Sequence, residues 1–318
     1  MSSTDLDAGP FWLGGAGIGN LLHPVTDEDA RATVDAAWDA GVRGFDTAPH
    51  YGLGLSERRL GAALADHPRD EYLVSTKVGR LLVPGRGDGD DLASGGFAVP
   101  DDLVRQWDPS PSGVRRSLDE SLARLGLDHV DVAYLHDPDV YSLTDGLTQA
   151  LPTLAELRDE GVVRAIGVGS NSAAALDAAV STGIPDVIML AGRYTLLEQP
   201  AASLVERCAS LGVDVIAVGV YNSGLLGTPR PAAGASYDYA EAPVELVARA
   251  NAIADVCERH GVSLPEAALA FPRRAPAVRA IALGAQSAEQ VRSNAARAAV
   301  TVPEELWADL RTAGLLGA

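Results

Sequence analysis

Asp46, Tyr51, Lys77 and His136 are four residues whose side chains, brought together, would perform acid–base chemistry on an oxygen atom. A free tyrosine ionises near pH 10, too high to exchange protons readily at neutrality (about 10 on model compounds). A neighbouring ammonium favours the phenolate, and a carboxylate paired with that ammonium keeps the lysine charged and in place. An imidazole beside the phenol hydrogen-bonds the same substrate oxygen and orients it. Such a group can protonate a carbonyl under reduction or deprotonate an alcohol under oxidation. Of the 25 basic residues, only Lys77 is a lysine. A coding bias explains the arginines; a compact ammonium, which a guanidinium fork does not reproduce, is a chemical reason for the exception.

These residues span ninety positions, so the fold must bring them together. Eight short apolar runs read as buried parallel strands: Phe11–Gly15, Val42–Asp46, Tyr72–Lys77, Val130–Leu135, Val163–Val168, Asp186–Leu190, Val213–Val218 and Val278–Leu283. Helix-period stretches alternate with them; Ala30, Val34, Ala37 and Trp38 set one between Thr26 and Ala40. Ser263–Glu266, Ser287–Gln290 and Thr301–Glu304 have capping-box spacing. The expectation is an α/β protein with residues 1–318 forming a single (β/α)8 TIM barrel. A doubly wound sheet is disfavoured, because the glycines of 14–19 do not form GxGxxG in register with a helix. Asp46 and Lys77 then close strands two and three, His136 follows strand four, and Tyr51 lies in the loop after Asp46. Residues 78–111 and 219–242 are too long for simple turns and rise as long loops over the C-terminal face.

The runs Gly44–Gly52, Ser56-Glu57, Ser75-Thr76-Lys77, Leu135-His136 and Gly167–Asn171 fall in an order and spacing that resembles the aldo-keto reductase superfamily over essentially the whole chain. That resemblance implies that Asp46, Tyr51, Lys77 and His136 are a catalytic tetrad and that hydride passes directly between substrate carbon and nicotinamide. It implies that Ser170 and Asn171 hold the carboxamide. The stretches His136–Asp139, Ala191–Leu197 and Tyr221–Leu226 resemble the branch of D-threo-aldose (L-fucose-type) 1-dehydrogenases and pyridoxal 4-dehydrogenases. Members of that branch oxidise a cyclic hemiacetal to a lactone, with Tyr51 as the base here.

The resemblance implies NAD or NADP as the cofactor. Its adenosine half is expected at Gly284, Gln286, Gln290 and Asn294, where the last helix starts, and its pyrophosphate at Asn222, Ser223, Gly224 and Leu225. Gly15, closing strand one, and Ala16 beyond it complete the cofactor set. The resembling NADP enzymes carry basic residues at the last corner, whereas Gly284, Gln286, Ser287 and Gln290 are neutral and Arg292 falls on the wrong helix face; NAD is favoured. Ala191 and Val218 stand where relatives carry an amide and a stacking aromatic ring. Among aromatic and imidazole side chains near the loops, His50 and Trp107 are the substrate candidates, with Phe97 and Tyr141 as further pocket aromatics.

A formal charge of −18 without a basic patch argues against nucleic-acid binding. Cys208 and Cys257 stand apart, without disulfide or zinc spacing. His136, Asp137 and Asp139 have metal-ligating chemistry, but no metal is expected. Neither a signal peptide within Met1–Pro10 nor a membrane span is expected, so the reading is a cytoplasmic monomer or small homo-oligomer acting on a small sugar or aldehyde. Two other function classes remain: a cofactor-binding regulatory subunit on the same barrel, and a metal-dependent barrel hydrolase using His136.

Overall fold

All eight apolar runs form parallel strands, and they close on themselves. In the computed structural model, which describes residues 6–238 and 240–317, the strands are β1 (Trp12–Gly14), β2 (Gly44–Asp46), β3 (Leu73–Val78) and β4 (Val130–His136), followed by β5 (Val163–Ser170), β6 (Val187–Ala191), β7 (Asp214–Val218) and β8 (Val278–Gly284). Met1–Asp5, Tyr239 and Ala318 lie outside the described residues. Each strand pairs with its sequence neighbours, and β1 pairs with β8 through Trp12–Ala282 and Gly14–Gly284, so the sheet has no free edge. The topology is the (β/α)8 barrel, with α1 (Asp27–Asp39), α2 (Leu55–Leu64), α3 (Pro111–Leu125), α4 (Leu151–Asp159), α5 (Ala173–Ser181) and α6 (Ala202–Leu211) following β1 to β6 in turn.

Local chemistry starts and stops these helices. Thr26 accepts a hydrogen bond from the Asp29 amide at the head of α1, and Asp27, Glu28 and Asp29 put negative charge against the positive end of the helix dipole. Ser110 caps α3 with Pro111 in its first turn, and Gly126 ends it at φ 67°. After β7 come α7 (Val244–Arg259) and α8 (Leu264–Ala270); the latter carries the Ser263–Glu266 capping box. After β8 come α9 (Ala288–Ala298) and α10 (Glu304–Thr312). Ser287 caps α9 as the spacing predicts, but Gln290 reaches back one residue further, to the Gln286 amide at 2.8 Å. The Thr301–Glu304 box does not form: α10 starts only at Glu304, with Pro303 at its cap, because the proline sets the extended backbone that precedes the helix.

The barrel interior is packed by Trp12, Val132, Tyr134, Val187, Met189 and Ile216. Gly44 makes room for this layer, since a Cβ there would lie 2.4 Å from the Trp12 ring. A second apolar layer, with Phe11, Leu13, Val34 and Leu118 among its members, fills the space between strands and helices. Both long connections prove more ordered than simple loops: Arg80–Pro84 pairs with Leu103–Trp107, and Ser236–Tyr237 with Ala240–Glu241, as antiparallel hairpins. No helix among the described residues is long and apolar enough to cross a membrane.

Candidate active site

The carboxyl ends of β2, β3 and β4 deliver the reactive side chains to one place. Asp46 ends β2 and His136 ends β4, one residue inside the strand rather than after it; Lys77 is the penultimate residue of β3. The Lys77 Nζ donates to Asp46 Oδ2 at 2.7 Å and to the Thr47 carbonyl at 3.0 Å, while Ser75 Oγ holds Asp46 Oδ1 at 2.7 Å. Lys77 is 2% exposed and Asp46 4%, so this is a buried ion pair whose remaining polar valences are filled. Tyr51 leans over it, its ring centroid 4.6 Å from the ammonium. The Tyr51 and His136 rings stand edge to face at 6.1 Å.

Electrostatics assigns protonation states. Burial pulls the Lys77 pKa down, but the Asp46 charge and hydrogen bond and the adjoining Tyr51 outweigh it, so the net shift is upward and the ammonium is retained. Burial of the Tyr51 phenol raises its pKa, and the pull of Lys77 offsets only part of that rise. The expected lowering of the phenol pKa is thus present as a force but not as a net result in the free protein. His136 is lowered well below the usual histidine value by burial and then by Arg80 and Lys77, and His50 is pushed down to about 2 by burial and the same cations with Arg105. Both imidazoles are neutral.

Tyr51, Lys77, His136 and Asp137 line a cavity of about 460 Å³ with Ala16, Phe97, Ser170, Asn171, Met189, Ala191 and Val218. His50 is in its wall, with Nδ1 buried and unpartnered, and packs against His136 at 5.6 Å and Phe97 at 5.3 Å. Trp107 is not in the lining: it belongs to the hairpin outside, sandwiched between Tyr141, stacked at 5.6 Å, and the Arg80 guanidinium at 4.4 Å. A larger cavity, about 990 Å³, opens at the opposite end of the barrel, but Arg158, Arg164, Arg207 and Arg279 there are paired with aspartates and none of the four reactive residues reaches it.

The remaining sequence-selected residues divide into groove and support. Ser170 Oγ donates to Asp139 and accepts from the Ser172 amide, and Asn171 is exposed beside it on the cavity wall. Asn222 and Ser223 adopt positive φ of 47° and 56°, continued by Gly224 at 96°, and the Asn222 Oδ1 is buried with no partner. An orphaned acceptor at the start of a left-handed run of amides suits an elongated polar ligand with donors and anionic oxygens. Leu225 is buried below. At the last corner Gln286 donates to the Leu21 carbonyl at 2.6 Å, and Asn294 accepts from the Tyr221 hydroxyl at 3.3 Å. Gly284 faces open space, whereas Gly15 lies behind the cavity: a Cβ there would meet Ser56 Oγ at 2.5 Å. The floor holds Met189, Ala191 and Val218 and no aromatic ring, as the sequence departures imply.

Several supporting groups take pairings that the sequence did not assign. Asp137, in a left-handed backbone at φ 42°, binds Arg80 Nη2 at 2.5 Å and lies 3.4 Å from His136 Nε2. Arg105 clamps Asp91 through two bonds and the His50 carbonyl at 2.8 Å. Glu57 is wholly buried, accepting from Thr76 at 2.8 Å and Arg124 at 2.6 Å. The Ser56-Glu57 pair was legible only as part of a resemblance; the arginines that answer these acids lie far along the chain. Among the described residues no group of three or more His, Cys, Asp or Glu converges on a metal position.

The barrel and this strand-end site define a class of oxidoreductase: residues 10–314 match the aldo/keto reductase family, and the chain belongs to it. Among its relatives, a D-threo-aldose 1-dehydrogenase from Pseudomonas sp is 48% identical over 99% of both chains. A pyridoxal 4-dehydrogenase from Microbacterium luteolum is 36% identical over 99% of this chain and 97% of its own. Of the solved structures, a holo-form aldo-keto reductase from Bacillus halodurans superposes with a TM-score of 0.76 at 23% identity, covering 98% of this chain and 93% of that one, a likeness of fold. The family acts on small aldehydes or sugars with NAD(P)H.

Proposed function

We propose that this chain is an NAD(P)-dependent aldose 1-dehydrogenase, oxidising a cyclic hemiacetal at C1 to the lactone. One observation carries the chemistry: a phenol and a neutral imidazole share a cavity wall directly above a buried, fully bonded Lys77–Asp46 pair. The 48% identical aldose dehydrogenase supports the choice of substrate.

The nicotinamide, when bound, accepts the hydride that leaves C1. In this reading Ser170 and Asn171 hold the carboxamide, Asn222–Leu225 the pyrophosphate, and Gly284, Gln286, Gln290 and Asn294 the adenosine end, with Gly15 and Ala16 bracing the near wall. His136, neutral, donates one hydrogen bond to the anomeric oxygen and fixes its direction toward Tyr51. Tyr51 takes the anomeric proton. Lys77 stabilises the phenolate that this step requires, and Asp46 keeps Lys77 charged. His50, with a free ring nitrogen on the wall, is a sugar-hydroxyl partner.

Enzyme with NAD or NADP is mixed with a panel of aldoses and with pyridoxal at mildly alkaline pH, and reduced nicotinamide is followed by absorbance. Turnover of one or more aldoses is expected. Turnover of pyridoxal with none of the aldoses overturns the choice of substrate.

A further inference from the structure

The cations around the cavity are matched one to one by aspartates. Lys77 pairs with Asp46 at 2.7 Å, Arg105 with Asp91 at 2.6 Å and Arg80 with Asp137 at 2.5 Å. Among the described residues no cation near the reacting position is left over for an anionic substrate. Of the three acids only Asp137 lines the cavity. Its Oδ2 is engaged by Arg80, and its Oδ1 accepts no hydrogen bond from the described residues. Oδ2 also lies 3.4 Å from His136 Nε2, too long for a good hydrogen bond, so the imidazole and carboxylate stand side by side on the cavity wall.

The position of Asp137 is built rather than incidental. Its amide donates to the Gly169 carbonyl at 2.8 Å, its backbone is left-handed, and Pro138 begins the next turn. Arg80 is held in turn by the Trp107 ring, which Tyr141 covers on its own side. That column of ring, ring and guanidinium explains Trp107 without placing it against substrate.

We propose that Asp137 is the acceptor for the substrate hydroxyl next to the reacting carbon, positioned by Arg80, and that it restricts the site to uncharged, hydroxyl-bearing substrates. The inference rests on the aldose reading above and sharpens it. Because Asp137 lies 3.4 Å from His136 Nε2 on the same cavity wall, a substrate oxygen bonded to His136 brings the hydroxyl of the neighbouring carbon within reach of the carboxylate when that carbon turns toward Asp137. An ionised carboxylate accepts from that hydroxyl strongly and repels a phosphate or carboxylate in the same place.

The test compares kcat/KM for an aldose that the wild type oxidises with that for its 2-deoxy analogue, in wild type and in Asp137→Asn. Asparagine tolerates the left-handed backbone and its amide oxygen still accepts from Arg80, so the variant keeps the backbone geometry. The wild type is expected to prefer the 2-hydroxy sugar by roughly tenfold to a hundredfold, the span for a hydrogen bond to a charged group. In Asp137→Asn the ratio is expected to fall most of the way to unity. A wild-type ratio within about twofold overturns the inference, with or without a soluble variant. So does an equal loss on both sugars in Asp137→Asn, which marks a residue that only positions His136. A wild type inert toward every aldose overturns the proposed function and this inference together; aldose turnover with an unchanged ratio removes this inference alone.

Discussion

At the scale of single residues, the site turns on how far a lysine can offset the burial of a tyrosine. Tyr51 is raised above its ordinary value by desolvation, with Lys77 pulling the other way. A raised phenol is protonated through the neutral range, so it is ready to donate to a carbonyl but must lose its proton before it can act as a base. The rate of aldose oxidation is therefore expected to climb with pH between about 7 and 10, while carbonyl reduction stays level over that span and falls only above the ordinary phenol value of about 10. An oxidation rate flat across that range means that Tyr51 is not the group titrating. Tyr51→Phe removes the proton carrier and is expected to lower kcat by about 10²–10⁴-fold while cofactor binding, followed by fluorescence titration, is retained. Lys77→Arg keeps the charge but replaces a point ammonium, 2.7 Å from Asp46 and 4.6 Å from the Tyr51 ring, with a broad planar fork in a fully enclosed space. Most turnover is expected to be lost; near-normal kcat in this variant would leave coding bias as the sufficient account of the arginines around it.

The secondary-structure elements were largely legible because each strand is covered on both faces and so writes its burial as a continuous apolar run. The ends were less legible. His136 and Ser170 belong to β4 and β5 because parallel pairing, His136 to Gly169 and Ser170 to Leu190, extends the ladder past the last apolar residue. The two hairpins in the long connections were missed, since Arg80–Pro84 and Leu103–Trp107 pair across eighteen residues rich in glycine and aspartate. The convergence of Asp46, Tyr51, Lys77 and His136 was legible, whereas the pairing of Asp137 and Glu57, though both stood in motifs, was not, because a buried acid announces its place only through the arginine that answers it. Glu57 heads α2 and ties it to Arg124 of α3 and to Thr76, beside Lys77 in β3. Arg124→Ala leaves that carboxylate buried without its cation, at an expected cost of about 3 kcal/mol. Thermal unfolding of the variant should shift down by several degrees; a midpoint within one degree of wild type means that water or Thr76 satisfies Glu57 unaided.

At the scale of the whole molecule, a protein of net charge −18 must bind a dinucleotide that is itself an anion. The overall field opposes that association, so affinity has to come from short-range donors. In the proposed binding mode Asn222–Gly224 would supply left-handed amides, and the capped head of α9 the positive end of a helix dipole. Neither offers the full charge that a 2′-phosphate needs. Gln286 and Gln290 are neutral and bonded within the protein, and Arg292 is exposed on α9, two residues beyond the Gln290 that caps its first turn. NAD is therefore expected to bind at least as tightly as NADP. Salt gives this reading a second edge, because screening weakens long-range repulsion more than contact hydrogen bonds. Apparent affinities for both cofactors, measured at about 0.01 M and about 0.15 M ionic strength, test it: the Debye length falls from roughly 30 Å to 8 Å between them. The two extra charges of the 2′-phosphate should make NADP gain more than NAD on adding salt. A large NADP preference, or an NADP affinity that salt weakens, would mean that an arginine swings to the 2′-phosphate, and would reverse the cofactor assignment.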